Sequence, residues 1–376
     1  MDFELSSEQT MLKDSVDRFV QDKYDFEARR ALVASELGYS KKNWQLFAEM
    51  GWLGLLFSEE SGGYGGTAVE ASILMESFGG GLVLEPFLSS VLLAGRLVDL
   101  AGTDDQKSEI LPALISGELM LALAYSEQQS RFDLADVATS AAAGSGGYVL
   151  NGHKSVVHHA ASADKILVTA RLTGDRCDRL GIGVFIIDAD AKGLTRQDYR
   201  TLDGQRASDV MLDNVAVDRG ALLGNSDDAL ASLEAVVDLA ICAVGAEAVG
   251  AMRKVIDVTS DYVKTRQQFG APIGANQVIK HRLADMLMEA EQAKSMADMA
   301  AMRCEAEPEN RQAIAAATQA KIGVAARFVG EQGIQLHGGI GMTDEYVIGH
   351  YYKRLKVIES LFGNPDFHLR RYSQVA

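Results

Sequence analysis

Residues able to do chemistry are scattered through this chain. Asp238 and Glu247 lie in the apolar run Ser232 to Lys264, and Glu359 lies in Val357-Ile-Glu-Ser-Leu-Phe-Gly363. A carboxylate removes a proton from carbon only if it reaches that proton, and best when a dry pocket raises its pKa. Otherwise it caps, pairs or is solvated. The pair His158-His159 has no partners at metal-ligand spacing, so no metal site is expected. His337 and His368 read as structural or interface residues. Arg266 carries a guanidinium, which suits bidentate contact with phosphate, although a lone arginine at a helix end is ordinarily solvated or paired. The glycines of Gly51-Trp-Leu-Gly-Leu-Leu-Phe-Ser-Glu-Glu-Ser-Gly-Gly-Tyr-Gly-Gly66 could cradle phosphate, but no Lys-Ser/Thr follows them. They read as a multi-turn connection. Cys177, Cys242 and Cys304 are odd in number and far apart, which gives neither metal spacing nor a disulfide framework.

Three zones must position these residues. Residues 1–118 read as an all-α N-terminal domain, with Ser6-Ser-Glu-Gln9 as a capping box and a second amphipathic run around Trp44, Phe47 and Met50. Residues 119–225 change to short β-branched runs: Tyr148–Gly152, Lys165–Ala170, Ile182–Ile187 and Asp209–Leu212. This predicts a small antiparallel β-barrel domain, with Asn151-Gly152 in a tight hairpin turn. Residues 226–376 return to helix over Ser232–Lys264, Gln277–Met302 and Gln312–Leu336, whose apolar faces predict a four-helix bundle. The fold class is therefore α+β. A length of 376 residues suits two or three packed units. A net charge of −16 argues against nucleic acid or an anionic membrane surface as partner. The N-terminus lacks a secretory pattern, and a cytoplasmic location is expected.

Four stretches occur in one order: Gly51-Trp-Leu-Gly-Leu55, Ala122-Leu-Ala-Tyr-Ser-Glu127, Thr265-Arg-Gln-Gln-Phe-Gly270 with Pro272-Ile-Gly274, and Gln335-Leu-His-Gly-Gly-Ile-Gly-Met342. With the helix–strand–helix order, they resemble the acyl-CoA dehydrogenase family over essentially the whole chain. The resemblance implies FAD bound across a subunit interface. Arg266 would meet the pyrophosphate, and Phe269 would pack by the adenosine. Gln277 and Gln335 would donate amide hydrogen bonds, and Gly338 and Gly339 would admit the cofactor closely. It also implies an acyl-CoA substrate and an electron-transfer flavoprotein as electron acceptor.

Against that family the chain departs in two places. Its own flavin half is eroded: Ser126-Glu-Gln-Gln-Ser-Arg-Phe-Asp133 stands for Thr-Glu-Pro-x-Ala-Gly-Ser-Asp, and Val156-Val-His-His-Ala160 for Trp-Ile-Thr-Asn-Gly. The two positions where the family keeps its catalytic Glu fall on Phe362 and Ala240. No catalytic residue is therefore assigned. The expectation is a subunit of a heteromeric α2β2 acyl-CoA dehydrogenase, serving a homologous partner that carries the Glu, with a bulky steroid-type or dicarboxylic acyl group as substrate. The alternatives are a homomeric enzyme using Asp238, Glu247 or Glu359, an oxygenase or oxidase of the same fold, and a flavin-free scaffold.

Overall fold

The computed structural model describes residues 4–144 and 146–375. Along the chain the first helices are α1 (Ser7–Lys23), α2 (Phe26–Ala34), α3 (Lys41–Glu49), α4 (Ala68–Gly81), α5 (Arg96–Ala101) and α6 (Asp104–Ile115). Strands β1 (Leu121–Ala124), β2 (Ser140–Ala143), β3 (Gly147–His158), β4 (Lys165–Arg171), β5 (Ile182–Asp188), β6 (Leu194–Arg200) and β7 (Arg206–Asp218) follow. Then come α7 (Leu230–Thr265), the short strands β8 (Gln267–Gln268) and β9 (Ala271–Pro272), α8 (Gln277–Arg303), α9 (Arg311–His337), α10 (Val347–Ile358) and α11 (Pro365–Val375). Helices flank a β middle, which is the expected class. By internal contacts the chain forms two units, neither contiguous in sequence: Met1–Ala31, Thr67–Val83 and Ile241–Ala376, and Leu32–Gly66 with Leu84–Ala240.

In the first unit, the capping box forms as the sequence predicts. Ser6 Oγ accepts the Gln9 amide and Gln9 Oε1 accepts the Ser6 amide, which satisfies two orphan donors. Helices α4 and α7 cross with backbone against backbone. A Cβ added at Gly79 would stand 1.9 Å from the Glu247 carbonyl oxygen, and one at Gly250 would stand 1.8 Å from that of Glu76. Helix α9 packs against α8, α10 and α11, and its Gly333 faces Val255 of α7. The apolar stretch of α7 is long enough to cross a membrane by composition, but 94% of it is buried within the protein.

In the second unit, a seven-stranded sheet runs β1-β4-β2-β3-β7-β6, with β5 on the free side of β4. Its ladders are antiparallel except β1 with β4 and the single β2–β4 pair, which run parallel. Among the described residues no ladder joins β5 to β6, and the β middle is a curled, mostly antiparallel sheet. Leu150, Val168, Phe185, Val210 and Val215 centre its core. Asn151-Gly152 makes no hairpin turn; it sits inside β3 beside a bulge. A Cβ on Gly152 would fall 2.3 Å from Thr139 Oγ1, so the glycine serves close packing there.

Candidate functional site

The exposed site candidates gather at one end of the helical bundle. Helix α7 ends at Thr265, and Arg266 follows on the surface, its amide donating to the Tyr262 carbonyl at 2.8 Å. Strands β8 and β9 then close a hairpin over Phe269 and Gly270, with φ of 54° and 81°. Positive φ at both central residues is what a two-residue hairpin demands, yet a bulky side chain rarely accepts it. The fold thereby holds the Phe269 ring fully in solvent. Gln277 opens α8, and Gln335 stands in the last turn of α9; both are exposed. Gly338 ends α9 at φ 64°, ψ −138°, and neither Gly338 nor Gly339 has an atom within 4 Å of an added Cβ.

Three rings tie these pieces together. His337 stacks on Tyr262 with centroids 4.4 Å apart, and Tyr346 stands 5.1 Å from His337. The Tyr262 hydroxyl donates to the His337 carbonyl at 3.4 Å. The buried His337 ring meets the Gly333 carbonyl through Nδ1 at 2.8 Å, and burial pushes its pKa down against that bond. Arg282 of α8 donates to Gln332 of α9 at 2.6 Å, which fixes the start of α8 beside the end of α9. The ring cluster escapes sequence reasoning, because Tyr262 lies 75 residues before His337 and no spacing signals the pair. The resulting surface offers a cation, a bare aromatic face, two amides and an open glycine turn. It suits a flat, anionic, extended ligand.

The carboxylates are otherwise engaged. Glu247 accepts both Nε and NH2 of Arg354, at 2.6 and 2.7 Å, in a pair with under 6% exposure on either side chain. Glu359 caps α10 and pairs with Lys356 at 2.7 Å and with Arg327 at 3.4 Å. Asp238 is fully buried on α7, two residues before the buried Ala240. Phe362 is buried in the turn after α10. Its carbonyl meets Nε2 of the fully buried His368 at 3.1 Å, and burial pushes that ring down to about 4 despite the bond.

The two eroded segments of the β unit are brought together. The Ser155 amide donates to the Ser126 carbonyl at 2.8 Å. Buried Lys154 donates to Glu127 at 2.6 Å and to Thr169 at 2.8 Å. Glu127 also accepts the amides of Ala138 and Thr139 and the Gln129 side chain. Burial would raise its pKa, but the Lys154 charge and these donors outweigh it and hold the carboxyl near 2. Arg131, Val156 and His159 all take positive φ, at 50°, 55° and 55°. For β-branched Val156, exposed and held by its amide on Asp209, this is real strain. His158-His159 belongs to no metal cluster among the described residues.

Comparison with known proteins follows the same lines. Family models match residues 6–118 (acyl-CoA dehydrogenase, N-terminal domain), 122–215 (middle domain) and 238–375 (C-terminal domain). The chain is 32% identical over 326 residues to the acyl-CoA dehydrogenase FadE12 of Mycobacterium tuberculosis, covering 85% of this chain and 82% of that one. It is 28% identical to the Tcur3481-Tcur3483 steroid ACAD, with a TM-score of 0.87 over 98% of this chain and 97% of that one. An FAD complex of PigA, 23% identical, shares the fold at a TM-score of 0.91 over 100% of this chain and 98% of that one.

Proposed function

Because the chain belongs to the acyl-CoA dehydrogenase family, we propose that it is the subunit of a hetero-oligomeric member which completes a partner's FAD site and leaves proton abstraction to that partner. FAD is the cofactor of the family. A contrast supports the reading: Phe362, where the resemblance would put the family's base, is buried, while Arg266, Phe269, Gln277, Gln335, Gly338 and Gly339 all face outward.

When bound, FAD supplies the acceptor for the hydride leaving the β-carbon of the thioester. This chain's part is binding and orientation. Arg266 takes the pyrophosphate charge, because its guanidinium has no hydrogen-bond or ion-pair partner among the described residues. Phe269 covers the adenosine from a hairpin whose conformation is already set. The Gln277 and Gln335 amides orient, and Gly338-Gly339 permits close backbone approach. The likeness to a steroid ACAD supports a bulky acyl group as substrate. An electron-transfer flavoprotein would serve as the electron acceptor.

One observation favours a second reading, a homomeric enzyme using Asp238. That carboxylate is fully buried in the apolar run of α7. Flavin absorbance and acyl-CoA turnover of the chain purified alone separate the two. A colourless, inactive chain that becomes yellow and active on co-expression with a homologous subunit supports the first. A flavinylated, active lone chain overturns it, and loss of that activity in Asp238→Asn would establish the second.

A further inference from the structure

We propose that His350 is a positioning residue for the turn carrying Gly338 and Gly339: its neutral ring latches the backbone at Asp344 to Arg29, and acid opens the latch. The inference rests on the functional reading only in assigning that turn to FAD. His350 lies on α10, outside the four stretches that carry the family resemblance. Arg29, Asp344 and His350 all belong to the first unit.

The partners fix where the proton sits. The guanidinium of buried Arg29 can only donate, and one of its terminal nitrogens stands 3.2 Å from Nδ1 of His350. Nδ1 must therefore accept. On the other side of the ring Nε2 stands 3.1 Å from the Asp344 carbonyl, which can only accept, so Nε2 carries the hydrogen. Arg29 Nε also donates to the Leu82 carbonyl at 3.1 Å, and the Phe26 ring meets the imidazole edge to face at 5.0 Å. Guanidinium and imidazole are thus each held from a second side. The turn leans on the same helix. Asp344 lies between Gly338-Gly339 and Tyr346, and a Cβ added at Gly349 would stand 3.2 Å from the Gly341 carbonyl oxygen. The other tie at Asp344, its side chain to Lys353 at 2.8 Å, sits at the surface and contributes little.

A proton on Nδ1 would set a donor against a donor and a cation against a cation. Burial already pushes the His350 pKa below its ordinary value of 6.5. Arg29 and Lys353 push it the same way, against the bond to the Asp344 carbonyl and the Asp344 charge. Lys353, with help from Arg30, holds the Asp344 carboxyl below the usual carboxylate range, so these neighbours keep their charges while the ring titrates. The latch is closed above the ordinary value of 6.5 and opens as pH falls below it. A ring that takes the proton leaves Arg29, and the Asp344 backbone bonded to it moves with it.

The test is NMR of the full chain with isotopically labelled histidine and glycine, followed from about pH 8 to about pH 5. The expected result is an Nε2–H tautomer for His350, a titration midpoint below 6.5, and Gly338 and Gly339 amide signals that shift with that midpoint. His337, the other ring beside the turn, reports its own midpoint in the same spectra. In His350→Gln the side chain can accept from Arg29 and donate to Asp344 but has no proton to gain, and the glycine response at that midpoint should be lost. If circular dichroism shows that variant unfolded, Arg29→Gln replaces it; a neutral donor facing Nδ1 should raise the midpoint of the ring. In the co-expressed complex, flavin absorbance per protein should fall through the same midpoint, and His350→Gln should keep its flavin. The proposal is overturned by an Nδ1–H tautomer, by glycine signals that ignore the titration of the ring, or by a response unchanged in the variant. A complex colourless at every pH would sink the functional reading, while the spectra of the lone chain decide the latch by themselves.

Discussion

Phe362 fills a position with two neighbours that a glutamate would not suit. It is buried, and Gly363 and His368 crowd the same turn: a Cβ on Gly363 would come 2.8 Å from His368 Nε2. Phe362→Glu would bury a carboxylate with no cation assigned to it, and its pKa would rise. We expect that variant to lower the melting temperature and to leave the lone chain without dehydrogenase activity. His368 supplies a pH signature. Its folded pKa of about 4 lies below the ordinary histidine value of 6.5, so the unfolded chain binds the extra proton between those values. Stability should fall as pH drops from about 6.5 to about 4, by on the order of 3 kcal/mol for this ring alone. His368→Gln should flatten that part of a urea-midpoint profile measured against the wild type; an unchanged slope would refute the assignment. Glu247→Gln should cost about 3–5 kcal/mol in the same assay, because it leaves Arg354 buried without its counter-charge. Glu247→Leu with Arg354→Met should recover much of the loss.

At the scale of elements, the α4–α7 crossing tolerates no side chain. Gly250→Ala sets a methyl 1.8 Å from a carbonyl oxygen, and about 3 kcal/mol or more of destabilisation is expected in thermal melts. How legible each element was depends on its period. Helices α7, α8 and α9 stood out, since long apolar faces repeat at helical spacing. Strands β2 and β6 did not: β2 is Ser-Ala-Ala-Ala, and β6 alternates Leu, Thr, Arg, Gln, Asp, Tyr and Arg along an edge that is mostly exposed. The Asn151-Gly152 pair misled because local turn preference was overruled by the approach of Thr139. In the candidate site, the motif residues were readable, but the contacts that support them were not. Tyr262 finds His337 and Glu247 finds Arg354 only through folding, across 75 and 107 residues.

For the whole molecule, function is a matter of what each surface is for. Arg266→Lys keeps the charge but loses the planar fork, so co-expressed complexes should retain about a tenth of the flavin, read from absorbance per protein. The lone chain's absorbance should not change. The discontinuous units have a consequence in time. Gly79 and Gly250, which must meet, are separated by about 170 residues of synthesis. At ~5–20 residues per second, roughly ten to thirty seconds pass on the ribosome before α4 meets α7. During that interval α4, whose Leu74 and Phe78 are buried in the finished protein, waits without the 241–376 part of its unit. Soluble yield should therefore depend on elongation rate and chaperone supply while the chain is nascent, more than on how stable the completed protein is.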